Sequence, residues 1–125
     1  MYTYPFEKLV VWQLARKLVV RIYALTGQFP PEEKYGMVRQ VRRAAVSICS
    51  NIAEGSGRFT AKDQSHFYSM AYSSLMELLN QLLIAEELVW LSAADILELR
   101  NEMGVISLKL NALRKSLTEK SDNKH

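Results

Sequence analysis

The sequence predicts an all-α protein, an antiparallel up-down four-helix bundle. Three observations carry that prediction. Apolar residues recur at alternating spacings of three and four through long segments, which is the period of a helix face and not of a strand. Glycine and proline are scarce, five and three in 125 residues, and they fall mostly between those segments. No stretch combines sustained apolar–polar alternation with β-branched residues.

Helix 1 is predicted to open at Pro5, where a missing N–H costs nothing, and to close at Gly27. Pro30-Pro31 opens helix 2, with Glu32 and Glu33 in its first turn facing the positive end of the helix dipole. Val38, Val41, Ala45, Ile48 and Ile52 form its apolar seam, and Gly55-Ser56-Gly57 stops it. Thr60 with Asp63 resembles a capping box for helix 3, whose seam reads Tyr68, Ala71, Leu75, Leu78, Leu82, Ala85 and Val89. Ser92 with Asp95 repeats that cap for helix 4, with Ile96, Leu99, Met103, Ile106, Leu110, Leu113 and Leu117 as its seam. Gly104 inside helix 4 reads as a close crossing or a mild kink. The predicted domain is 1–118, with 119–125 a flexible polar tail. Each segment runs roughly 22–29 residues, or about 33–44 Å, and short loops between such helices make neighbours antiparallel.

Two helices carry more apolar surface than one bundle core uses. Helix 1 spreads Val11, Trp12, Leu14, Ala15, Leu18, Val19, Ile22, Tyr23 and Leu25 over about 180°, where an arc nearer 100° suffices. Helix 3 adds Phe67, Met76, Leu79, Leu83 and Trp90. The surplus predicts self-association.

Composition narrows the function classes. No apolar run is long enough to span a membrane, and Met1–Pro5 does not open a secretory signal. Cys49 is the sole cysteine, so no disulfide framework forms, and the expected location is the cytoplasm. The formal charge of +3 is uneven: residues 1–60 hold nine Lys/Arg against four Glu, whereas residues 61–125 hold seven against nine Asp/Glu. His66 and His125 with one cysteine make no recognisable zinc site, and neither HExxH, CxxC nor a phosphate-cradling glycine loop is present. Arg58 and His66 lie too far apart for the arginine–histidine spacing of some helical RNases. The expectation is therefore no enzyme, no cofactor and no metal.

The most unusual stretch runs from Gln40 to Gly55. On a helical wheel Gln40, Arg43, Ser47, Asn51, Glu54 and Arg58 share a boundary face beside the apolar seam. On helix 3, Glu77 is flanked by Met70, Ser74, Gln81, Ile84 and Leu88, where a carboxylate needs a cation or several donors. The expected arrangement is a structural polar network of Arg43, Ser47, Asn51, Glu54 and Glu77, in which Glu77 pairs with Arg43 or Arg42 and fixes register.

Several phrases together resemble a bacterial family. They are Phe6-Glu7-Lys8-Leu9-Val10-Val11-Trp12-Gln13, Phe29-Pro30 with Glu32-Glu33-Lys34-Tyr35-Gly36-Met37, Arg42-Arg43-Ala44-Ala45-Val46-Ser47-Ile48, Asn51-Ile52-Ala53-Glu54-Gly55-Ser56-Gly57-Arg58 and Ala71-Tyr72-Ser73-Ser74-Leu75-Met76-Glu77-Leu78. The chain is similar here to the four-helix bundle proteins encoded by intervening sequences in large-subunit ribosomal RNA genes, relatives of the accessory variability protein of diversity-generating retroelements. The likeness covers about residues 5–92. It implies an up-down bundle that assembles into a ring, commonly a homopentamer, without established catalysis. The retroelement relatives bind nucleic acid and a reverse transcriptase through basic surface, whereas this chain is only mildly basic and its helix 3 is net acidic.

The resulting expectation is an oligomeric scaffold that contacts RNA or DNA, or a reverse transcriptase or other nucleic-acid protein. The expected contacts are Lys8, Arg16, Lys17 and Arg21 of helix 1 with Arg39, Arg42 and Arg58 of helix 2. No interleaving of aromatic and basic residues signals base stacking, so binding is expected to follow phosphates. The alternative is a protein–protein module without nucleic-acid binding.

Overall fold

In the computed structural model, which describes residues 1–122, the four helices are α1 (Val10–Thr26), α2 (Met37–Ser56), α3 (Ala61–Glu87) and α4 (Ala93–Asp122). Short 3-10 turns at Pro5–Lys8 and Pro31–Glu33 precede α1 and α2. There is no strand among the described residues. Cross-helix partners run in opposite senses. Cys49 lies by Trp12 while Arg42 reaches Tyr23 and Thr26; Gly55 abuts Phe67 while Ser47 meets Ser74; Tyr72 lies under Arg114 while Arg21 meets Glu98. The pairs α1–α2 and α2–α3 are thus antiparallel, and α4 packs on α3 through Tyr72 and on α1 through Arg21. α2 packs most extensively on α3, α1 packs least on α4, and α2 and α4 sit diagonally with no close backbone approach among the described residues.

The core is the set of seams that the helix period picks out. Val41, Ile48, Ile52, Leu75, Leu78, Leu82, Leu99, Ile106 and Leu110 are fully buried, and each such side chain contributes roughly 1.5–3 kcal/mol relative to exposure. Leu113 and Leu117 are half-buried at the edge of the core. Val89 departs from its seam and stands in solvent, because α3 ends at Glu87. That end is a Schellman turn. The Trp90 N–H donates to the Ala85 carbonyl and the Val89 N–H to the Glu86 carbonyl, each at 2.9 Å, with Val89 in the left-handed conformation at φ 63°. Trp90 then packs on Phe29, their ring centroids 5.3 Å apart.

The cap on α4 is the box the sequence predicts, and that on α3 is one half of the predicted box. The Asp63 N–H donates to Thr60 Oγ1 at 3.1 Å. Ser92 and Asp95 form the reciprocal box, with the Ser92 N–H on Asp95 Oδ2 at 3.3 Å and the Asp95 N–H on Ser92 Oγ at 3.1 Å. Other boundaries differ. The chain from Pro5 to Thr26 is a 3-10 turn and a helix, broken at the extended residue Leu9. Glu32 and Glu33 lie in a 3-10 turn ahead of α2 rather than in its first turn, although Glu33 Oε1 still accepts the Met37 N–H at 3.4 Å. Gly55 is a buried helical residue, where an added Cβ would come within 2.9 Å of Phe67 Cβ and Tyr68 Cε1. Its role is close approach of α2 to α3, and Gly57 caps the helix instead. Gly104 has open space around it, not a crossing helix. Residues 119–122, expected in a polar tail, continue α4, and residues 123–125 of that tail lie outside the described residues.

The apolar surplus is redistributed. Trp12 is covered by Phe6 of the first 3-10 turn, with ring centroids 5.0 Å apart, and Leu14, Val19, Leu25, Leu79 and Leu83 are half-buried against the core. Exposed apolar side chains remain on several elements, Val20 on α1 and Met76 and Ile84 on α3 among them, and α4 carries a further group. Leu97 (62% exposed), Val105 and Leu108 (73%) share one face with Ala94, Gly104 and Ala112, opposite the face that Ile96, Leu99, Met103, Ile106 and Leu110 bury.

Candidate nucleic-acid interface

Basic residues converge at one place, a broad open groove of about 890 Å³ between the end of α1, the turn after Glu33 and the outer face of α2. Its lining is Tyr23, Lys34, Tyr35, Val38, Arg39, Arg42, Arg43, Val46, Ser47 and Ser50, without a carboxylate. The helix period explains the α2 side. Arg39, Arg43 and Val46 repeat at four and three, so one stripe carries them into the groove while Val38, Val41, Ala45 and Ile48 point to the core. Tyr35 enters from the turn between the two Glu residues and α2, and Lys34 Nζ sits 5.5 Å from the centre of its ring.

Arg42 is anchored rather than free. Its Nε donates to Thr26 Oγ1 at 2.9 Å, its Nη2 donates to the Tyr23 carbonyl at 3.2 Å, and its guanidinium lies 4.4 Å over the Tyr23 ring. Thr26 Oγ1 in turn donates to the Ile22 carbonyl at 2.7 Å, so the hydroxyl bridges the last turn of α1 to α2. This arrangement adds a charged donor to the Tyr23 carbonyl in the last turn of α1 and holds one positive charge at a fixed site.

The residues expected to bind nucleic acid are spread over the surface. Arg39 and Arg42 line the groove; the other five do not. Lys8 is exposed in the first 3-10 turn. Arg16 stacks on Trp12, 4.9 Å from its ring centre, and Arg58 lies 4.5 Å over Phe67. Lys17 faces the α1–α4 cleft beside Asn101 and Glu102. Arg21 pairs with Glu98 and, at 3.0 Å, with Glu102, so two carboxylates offset its charge. Tyr23, Lys34 and Tyr35 were outside the expected set. Lys34-Tyr35 in a Gly-bounded turn was a local signal for an exposed cation beside a ring. Tyr23 meeting Arg42 across 19 residues had no local signal.

The polar network also differs from expectation. Ser47 Oγ lies 2.9 Å from Ser74 Oγ, and Asn51 Nδ2 donates to the Ser47 carbonyl and Oγ at 2.9 and 3.1 Å, so the Asn51–Ser47–Ser74 chain ties α2 to α3. Glu77 is exposed and pairs with neither Arg42 nor Arg43 among the described residues. It accepts from Gln81 Nε2 at 3.3 Å and faces a cavity of about 510 Å³ shared with Gln40, Arg43, Ala44 and Ser47. The reason is solvent. At the rim of the α2–α3 contact water replaces the counter-ion, and an exposed pair would add at most about 1 kcal/mol. Glu54 is likewise exposed.

Elsewhere the chemistry is sparse. Among the described residues no three His, Cys, Asp or Glu side chains gather as a metal site would need. Cys49 is half-buried beside Trp12, and burial pushes its thiol up to about 11, against a smaller opposing pull from Arg16. Burial likewise raises the Tyr68 phenol. No helix among the described residues is long and apolar enough to cross a membrane.

Comparison with known proteins places this geometry in a family. The family model for the 23S rRNA-intervening sequence protein matches residues 7–112, and the chain belongs to that family. No curated protein matches. Among solved structures, the chain is similar to a protein of unknown function from the S23 ribosomal protein family of Bacteroides thetaiotaomicron, at 22% identity. The TM-score is 0.78, over 85% of this chain and 99% of that one, so the two share a fold.

Proposed function

We propose that this member of the 23S rRNA-intervening sequence protein family is a non-enzymatic, self-associating scaffold of the cytoplasm that contacts nucleic acid through the α1–α2 groove. The observation that carries the reading is the lining of that groove, in which Lys34, Arg39, Arg42 and Arg43 stand without a carboxylate. A phosphate backbone is the polyanion that such a row of cations suits, and binding it releases condensed counter-ions. Self-association is supported by the apolar face of α4, since Leu97 and Leu108 stand in water on a helix whose opposite face is already buried. α4 is diagonal to α2. Copies joined through α4 therefore leave the groove open, and a ring repeats it around the assembly, so that weak single contacts sum. A nucleic-acid enzyme such as a reverse transcriptase is the protein partner this arrangement suits, held beside the same strand.

The test is fluorescence anisotropy with labelled RNA and DNA over a salt series, alongside native mass spectrometry. Lys34, Arg39 and Arg43 make log K fall with log salt at a slope of about −2 to −3 per protomer. The double variant Lys34→Ala/Arg39→Ala flattens that slope, whereas Arg21→Ala leaves it unchanged because Glu98 and Glu102 already offset Arg21. Leu108→Glu dissociates the assembly. A salt-independent affinity, or none at low salt, overturns the nucleic-acid reading, and a monomeric wild-type chain at micromolar concentration overturns the scaffold.

A further inference from the structure

We infer that the groove takes unpaired nucleotides, with the Tyr35 ring as a platform on which a base stacks. The inference rests on the nucleic-acid reading above and goes further by naming the form of nucleic acid. Tyr35 is 79% exposed, the most exposed of the six tyrosines, so this ring does not serve the core. Its backbone is pinned. The Lys34 N–H donates to the Pro31 carbonyl at 3.2 Å and the Gly36 N–H to the Glu33 carbonyl at 3.0 Å, which holds the ring on a tight turn and limits the entropy a ligand must remove. The contact on its face is Lys34 Nζ at 5.5 Å, a single charge on a flexible stem that a base can displace toward its own phosphate.

The opposite wall is of another kind. Arg42 already occupies Tyr23, with two hydrogen bonds locking the guanidinium in place, so this pair is a fixed positive wall rather than a second platform. Between the walls, Val46 provides exposed apolar floor for a base, Ser50 provides a hydroxyl, and Arg39 and Arg43 provide cations for phosphates. An exposed ring beside cations on an apolar floor is the composition of single-strand grooves. A duplex keeps its base faces stacked inward and offers only phosphates and groove edges, so Tyr35 has nothing to stack on there. The ring addresses the base and not the sugar, so RNA and DNA strands both qualify.

The test uses the full chain and three fluorescein-labelled probes of about 12 nucleotides: single-stranded RNA, DNA of the same sequence, and the RNA annealed to its complement. The expected result is that Tyr35→Ala weakens binding of both single strands about tenfold, within the range of one base–aromatic stack, and leaves the duplex unchanged. Tyr35→Phe keeps wild-type affinity because the ring remains. Arg39→Ala weakens all three probes. Tyr35 is solvent-exposed, so its replacement leaves the fold intact. Duplex binding that equals or exceeds single-strand binding, or a Tyr35→Ala loss that is absent or common to all probes, overturns the inference and leaves the nucleic-acid reading standing. Absence of binding to every probe overturns both.

Discussion

Replacing Val89 with glycine should stabilise the protein, although valine is the better packing residue. Val89 occupies the left-handed position of the Schellman turn that ends α3, at φ 63°. For an L-residue that conformation costs roughly 1–2 kcal/mol, and for a β-branched one the value lies toward the upper end. Glycine removes this cost but gives up about 0.5–1 kcal/mol of backbone entropy on folding. Val89 is 86% exposed, so almost no apolar burial is lost. The net expectation is a gain of about 1 kcal/mol, which for 125 residues corresponds to roughly 4 °C in Tm. Thermal unfolding followed by far-UV circular dichroism, at fixed protein concentration because self-association shifts Tm, measures it. Val89→Ala is the control, since alanine keeps a Cβ and most of the left-handed cost. An unchanged or lower Tm for Val89→Gly, or an equal gain for Val89→Ala, refutes the strain argument.

Three further outcomes follow from the same geometry. Gly55→Ala forces a Cβ to within 2.9 Å of Phe67 Cβ and Tyr68 Cε1, so it should lower the urea midpoint by the equivalent of about 1–3 kcal/mol at constant m-value. Gly104→Ala meets nothing within 4 Å and should raise stability by up to about 1 kcal/mol through helix propensity, as a urea titration reads directly. Cys49 should be alkylated by iodoacetamide slowly in the folded protein and quickly in urea, because its folded thiol titrates at about 11 rather than its ordinary 9.0. With the folded value raised, this contribution to stability is fully present below pH 9 and is lost as pH rises toward 11, because the unfolded thiol ionises first. A urea midpoint that is flat across that window in wild-type protein, relative to Cys49→Ala, would contradict it.

The two kinds of glycine show how far local reading reaches. Gly55 and Gly104 both sit inside helices, and nothing in their immediate sequence separates a tight crossing from open solvent. The difference is what lies opposite, Phe67 and Tyr68 in one case and water in the other. The candidate groove divides the same way. The helix period puts Arg39 and Arg43 on one stripe of α2, although Arg43 was expected in the polar network and Arg39 among the nucleic-acid contacts. The meeting of Arg42 with Tyr23 was not legible, because it depends on how α1 is staggered against α2 by the loop from Gly27 to Gly36. Arg21 and Glu77 are the matching errors. Arg21 looked free until α4 brought Glu98 and Glu102 beside it, and Glu77 looked desolvated until the α2–α3 rim left it in water.

What the amino-acid order alone determined is the set of four helices, the faces they bury and the caps at Thr60 and Ser92, since each depends on hydrogen bonds and side-chain spacing within a few residues. What only the tertiary structure decided is which charges are paired, which apolar face is left over and where the cations gather. Those depend on the axial offset and rotation of packed helices, and an offset of one turn, about 5.4 Å, exchanges every cross-helix partner while leaving each helix unchanged.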